Sequence, residues 1–111
     1  MTGISTHVLD TALGRPAAGI AVTLEFASPD GWRELARGTT NADGRIPSLL
    51  AGGVPTSGDY RLNFAIGDYF RDLGQPTLNP AVVIQVRLDP DTKYHLPLLL
   101  SPFGYSTYRG S

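Results

Sequence analysis

Apolar residues recur at every second position along most of this chain, the period of half-buried β-strands. Ile4, Thr6 and Val8 alternate with Ser5, His7 and Leu9. Ile20, Val22, Leu24 and Phe26 alternate with Ala21, Thr23 and Glu25. The same rhythm returns at Tyr60, Leu62, Phe64 and Ile66, and at Val82, Ile84, Val86 and Leu88. Residues 32–40 read as a further strand, and residues 93–100 and 103–109 as two closing strands hinged at Ser101-Pro102. Between these runs lie turn signals: Ser28-Pro29-Asp30-Gly31, Asn41-Ala42-Asp43-Gly44 and Asp89-Pro90-Asp91-Thr92. Proline presets φ there, and glycine admits positive φ. Arg45-Ile46-Pro47 leaves the second turn, and residues 49–58, with three glycines and a proline, read as loop. Residues 67–74 predict one short helix whose buried stripe is Tyr69, Phe70 and Leu73, with Asp68, Arg71 and Asp72 on its wet face. Phe26, Trp32 and Phe103 read as core aromatics. About eight short strands and one helix predict an all-β sandwich of two packed sheets, a single domain over residues 1–111.

Composition narrows the function classes. Of the 111 residues, 41% are hydrophobic and 17% charged, a globular balance. The net charge is −1 and no basic run occurs, which argues against a nucleic-acid partner held through phosphates. Cysteine is absent, so no disulfide framework is in play. No apolar run reaches membrane-spanning length. The first residues lack the basic and apolar regions of a secretory leader. A cytoplasmic protein without membrane contact is the expectation.

Candidate chemistry is sparse. Two histidines, His7 and His95, stand without cysteines or clustered acids, too few ligands for a closed zinc site. No metal site is therefore expected. Gly52-Gly53 is not followed by the lysine of a phosphate loop, and no serine sits in a nucleophile elbow. On strand parity His7 points away from the face of Ile4, Thr6 and Val8. His95 opens an apolar strand. The chain ends Tyr108-Arg109-Gly110-Ser111 directly after a strand-like run, so a phenol, a guanidinium, a hydroxyl and a carboxylate lie one step beyond a rigid element. Rigid delivery of polar groups is what a site needs.

Together these segments resemble the transthyretin-related family. The opening Ser5-Thr6-His7-Val8-Leu9-Asp10-Thr11-Ala12-Leu13-Gly14-Arg15-Pro16-Ala17 is similar to its N-terminal signature. The ending from His95 through Leu98-Leu99-Leu100-Ser101-Pro102-Phe103-Gly104-Tyr105-Ser106-Thr107 to Ser111 is similar to its C-terminal one. The family divides into hormone-carrying transthyretins and 5-hydroxyisourate hydrolases. Transthyretins have Lys at the position of His7, an acidic residue at Arg45 and Thr at His95, with a different tail. This chain carries the hydrolase set. One departure is Lys93-Tyr94-His95, where many hydrolases read His-Tyr-His; the matched position is His95.

The resemblance implies a transthyretin-like β-sandwich of two four-stranded sheets with one short helix. It implies a homotetramer with active sites at the dimer–dimer interface. It also implies hydrolysis of the N1–C6 amide of 5-hydroxyisourate to 2-oxo-4-hydroxy-4-carboxy-5-ureidoimidazoline, a step of urate breakdown, with no cofactor. His7, Arg45 and His95 would be catalytic, and His7, Arg45, Tyr108 and Ser111 would hold substrate. Arg109 ranks lower, as an anchor of the tail rather than a substrate contact. A histidine titrates near working pH and suits activation of water, with His7 favoured as the base and the division between the two imidazoles left open. Arg45 offers a planar fork of donors for a carbonyl edge. The alternative is a non-catalytic transthyretin-like carrier of an aromatic small molecule.

Overall fold

A computed structural model describes residues 3–111; Met1 and Thr2, part of the segment read for leader features, lie outside them. The strands are β1 (Gly3–Asp10), β2 (Arg15–Pro16), β3 (Ala21–Ser28), β4 (Gly31–Thr39), β5 (Arg45–Leu50), β6 (Gly58–Phe64), β7 (Val82–Leu88), β8 (Lys93–Ser101) and β9 (Gly104–Thr107), with one helix, α1 (Ile66–Asp72). They form two sheets, as the alternation predicts. One runs β4-β3-β6-β7, antiparallel throughout. The other runs β2-β1-β8-β9, with β5 also paired to β1.

That second sheet has five strands but is four wide. β5 pairs with residues 4–7 of β1 and β2 with Leu9 and Asp10, so both occupy one edge. The Val8 amide bridges the gap by donating to the Gly44 carbonyl at 2.7 Å. On its other edge β1 runs parallel to β8, in the register Ser5–His95, His7–Pro97 and Leu9–Leu99. The first and last thirds of the chain thus lie side by side.

The core fills the space between the sheets. Ile4, Val8, Leu96, Leu98 and Leu100 face Val22, Leu24, Tyr60, Leu62 and Phe64, all buried. Each large side chain so buried stabilises the fold by about 1.5–3 kcal/mol over an exposed one. Polar groups in this region are satisfied. The buried Thr6 hydroxyl donates to the Leu96 carbonyl at 2.6 Å, and Asp10 accepts from the amides of Ala12 and Leu13 and from the Tyr69 hydroxyl. Desolvation, then that bond to Asp10, pushes the Tyr69 phenol up to about 12.

Four expectations change. β5 runs from Arg45 to Leu50, a strand the alternation does not mark, and takes in the first two residues of the 49–58 stretch read as loop. Pro47 and Ser48 interrupt its apolar rhythm, and an edge strand tolerates a proline because the lost N–H faces no partner. α1 begins at Ile66 and buries Ile66 and Phe70, whereas Leu73 is exposed. Phe103 is 66% exposed at the β8–β9 turn rather than in the core. Trp32 is half-buried outside the core, with the Arg61 guanidinium 4.3 Å from its ring centroid.

Candidate active site

The outward faces of β1, β5 and β8 bring the polar candidates together. The register places Arg45 beside His7 on one side and Pro97 beside it on the other. His95 is beside Ser5, one diagonal step from His7, roughly 8 Å between backbones from ordinary strand spacings. All three candidate catalytic residues therefore share the solvent side of one sheet, as strand parity predicted for His7.

The turn before β5 sets two of them. Asn41 Oδ1 accepts from the amides of Asp43 at 2.9 Å and Arg45 at 3.0 Å. Gly44, at φ +73°, lies so close to β1 that a Cβ would collide with the Val8 carbonyl oxygen. This tight closure starts β5 at Arg45 and aims the Asp43 carbonyl at His7. His7 Nε2 lies 2.9 Å from that carbonyl oxygen. A carbonyl only accepts, so Nε2 carries the proton and the neutral ring has its lone pair on Nδ1.

His95 is held from two sides. Its Nδ1 is 2.8 Å from Ser5 Oγ, a pair that admits either direction of donation. Its carbonyl accepts from the Gly110 amide at 2.7 Å, a bridge that carries the tail alongside β8. A Cβ on Gly110 would stand 2.6 Å from His95 Cδ2, so glycine there lets the tail lie against the ring. Burial lowers the His95 pKa below its ordinary 6.5, and the charges of Arg45, His7 and Lys93 lower it further, in that order. His95 is thereby kept neutral, and able to accept a proton, near pH 7.

A cleft of about 240 Å³ opens at this face, lined by Ser5, Thr6, Arg45, Pro47, Lys93, His95 and Ser111. It joins Arg45, His95 and Ser111 from three separate segments. His7 stands beside Arg45 but is not among the lining residues. Tyr108 is elsewhere: 58% exposed, it borders a groove over β7 with Val86, Leu88 and Leu96. Arg109 sits with its guanidinium 4.9 Å from the Tyr94 ring centroid. A larger cleft of about 480 Å³ lies between α1 and β2 with the residues that follow it, lined by Arg15, Gly19, Tyr69 and Asp72 among others, with no histidine. Size therefore does not pick out the face where the imidazoles meet. Among the described residues no group of three or more His, Cys, Asp or Glu could hold a metal, and no helix is long and apolar enough to cross a membrane.

Ser5 and Lys93 were not singled out as site residues from the sequence. The parallel register that seats Ser5 against His95 joins positions ninety apart, and short-range spacing carries no signal of it. Lys93 is two residues before His95, on the same strand face, which the alternation of β8 does reveal.

Comparison with known proteins bears on both fold and site. The model of the HIUase/transthyretin family matches residues 4–110. The chain is 46% identical to 5-hydroxyisourate hydrolase of Caulobacter vibrioides, covering all of both chains. Among solved structures it resembles 5-hydroxyisourate hydrolase of Klebsiella pneumoniae, with a TM-score of 0.88, 36% identity, and coverage of 99% of this chain and 100% of that one. It also resembles transthyretin from Sparus aurata, with a TM-score of 0.91, 29% identity, and coverage of 99% and 97%. The backbone fits carrier and hydrolase about equally, so the side chains on the outer face must decide between them.

Proposed function

The chain belongs to the HIUase/transthyretin family, and on that premise we propose that it is a 5-hydroxyisourate hydrolase whose active site is the cleft on the outer face of β1, β5 and β8. The observation that carries this is the meeting of Arg45, His95 and Ser111 in one cleft, with His7 beside Arg45. A carrier of an apolar aromatic molecule has no use for two imidazoles and two cations on one face.

The reaction is hydrolysis of a cyclic amide, the N1–C6 bond of the six-membered ring, in urate breakdown. A flat heterocycle rich in carbonyl and N–H edges lies in the cleft. Arg45 donates to the carbonyl under attack and stabilises the oxyanion that forms, an effect of about 3 kcal/mol for a well-placed donor. Water adds to the carbonyl carbon and gives its proton to an imidazole. His95 fits that role better than His7, reversing the weighting from sequence, because it lines the cleft and His7 does not. With Nδ1–H donated to Ser5 Oγ, His95 Nε2 is free to take the proton. The C–N bond then breaks and the ring nitrogen is protonated. His7, its Nε2 bound to the Asp43 carbonyl, presents Nδ1 to shuttle a proton or orient water. The Ser111 hydroxyl holds substrate. Water is the nucleophile and no electron is transferred, so the step calls for no cofactor.

The working assembly in this reading is a cytoplasmic homotetramer of single-domain chains with active sites at the dimer–dimer interface. Tyr108 supports it: within one chain it does not reach the cleft, and a substrate contact from it needs a neighbouring subunit. Sedimentation at about four times the 11.9 kDa chain mass is the expected result, and a monomer at micromolar concentration would remove this part. The activity is tested by generating 5-hydroxyisourate with urate oxidase and following its ultraviolet decay. Decay faster than in buffer is expected, and decay at the spontaneous rate would leave a carrier.

A further inference from the structure

We propose that Lys93 binds the carboxylate released by ring opening, and that the second cleft it borders is the product-side subsite. This rests on the hydrolase reading above. Lys93 opens β8 two residues before His95 on the same outward face, about 7 Å along the strand. It lines the reaction cleft with Arg45 and His95. It also lines an adjoining cleft of about 270 Å³, reaching Gly3, Ser48 and Gly52. Ser5 and Pro47 line both, so the two are continuous and Lys93 stands at their border.

The charge pattern suits an anion. The four ion pairs among the described residues involve Arg37, Arg61, Arg71 and Arg87, and neither Arg45 nor Lys93 takes part. No Asp or Glu side chain lines either cleft. Ser111 brings the terminal carboxylate to the first cleft, which answers one of the two cations there. Arg45 and Lys93 together leave one positive charge over, and that excess raises the local concentration of anions.

The reaction supplies one. Water adds to the carbonyl carbon, the C–N bond breaks, the ring nitrogen takes a proton, and the new carboxylic acid loses its proton at neutral pH. The hydrolysed group is an uncharged amide before cleavage and a carboxylate after it. Arg45 is already engaged with the oxygen of the attacked carbonyl. Lysine, a compact charge on a flexible four-carbon stem, can follow the carboxylate as it swings away. Opening the ring also creates two free arms where a fused ring lay, and the second cleft gives the extra room.

Progress curves with added product test this, run at about 0.01 M and about 1 M salt, where charges are screened beyond roughly 30 Å and 3 Å. Lys93 is exposed, so the effect belongs to the range of surface pairs. Lys93→Gln is expected to weaken product inhibition about fivefold at low salt and to flatten its salt dependence. Lys93→Arg should retain both. Wild-type protein that product does not inhibit, or a Lys93→Gln variant with the wild-type inhibition constant and salt slope, overturns the inference while the hydrolase reading stands. Wild-type protein that does not speed 5-hydroxyisourate decay overturns both.

Discussion

The two sheets turn very different faces to the outside. On the β4-β3-β6-β7 sheet the charged side chains pair off, apart from Arg33, whose guanidinium lies 6.0 Å from the Phe26 ring centroid. Arg61 pairs with Glu25 at 2.7 Å and lies over Trp32, Arg87 meets Asp59 at 3.3 Å, and Arg37 meets Glu34 at 2.6 Å. On the β1-β5-β8 face two cations and two imidazoles gather around a cleft that no Asp or Glu side chain lines. The first face needs nothing but water. The second places groups where a polar heterocycle completes them. The same parity rule built both, so alternation says which residues point outward, and charge pairing says which outward face is a site.

The contrast breaks most visibly at the histidines. Replacing His95 by Asn, or His7 by Ala, should lower turnover by about 10²–10⁴-fold, the usual worth of a positioned acid or base, with unchanged circular dichroism. Near-normal rates in either variant would remove that residue from the chemistry. Next comes the tail. Gly110→Ala presses a methyl on the His95 ring and should cost roughly 10- to 100-fold in kcat/KM, since small misplacements of a reacting group weigh heavily. Gly104→Ala is the matched control: its Cβ meets nothing nearer than Ser101 Oγ at 3.7 Å, so its rate should stay near that of the wild type. Equal effects of the two would mean that the tail's closeness to His95 does not matter.

A subtler test is titration. His95 should lose its ring proton below its ordinary 6.5, by proton NMR of the imidazole. Because a lowered pKa keeps the base neutral, the acid limb of kcat/KM should also lie below 6.5. Arg45→Gln removes a positive neighbour and should move the His95 titration upward; an unmoved or lowered value would contradict the electrostatics assigned to the cleft. The smallest effect belongs to the other sheet. Glu25→Gln breaks the pair with Arg61 and should cost at most about 1 kcal/mol in urea unfolding, with turnover unaltered. A loss of activity there would erase the distinction between the faces.

Much of this was legible in the sequence, for physical reasons. Period-two patterning revealed the sheets because each strand has one buried face, and it put His7 outward; the contact of His7 with the Asn41–Gly44 turn is long-range and carries no such signal. It failed at β5, where Pro47 interrupts the rhythm on an edge that tolerates it. It failed at Phe103, since an apolar residue at a tight turn has no obligation to be buried. His95 stood out as one of two histidines and Arg45 was assigned a role through family resemblance, and their closeness became visible only through the pairing of β1 with both β5 and β8. Ser5 at 2.8 Å from His95 Nδ1 depends on that long-range register, which no local pattern encodes. Tyr108 shows the opposite limit: its neighbours in one chain do not include the cleft it was grouped with.

The most direct test of the outer-face cleft as a hydrolytic site is the ultraviolet decay of freshly generated 5-hydroxyisourate with wild-type protein and with Arg45→Gln. Wild-type protein should speed the decay well beyond buffer, and Arg45→Gln should lose about 10²–10³-fold of that turnover while the fold persists. Equal rates for the two proteins, or a wild-type rate no faster than buffer, would contradict the account.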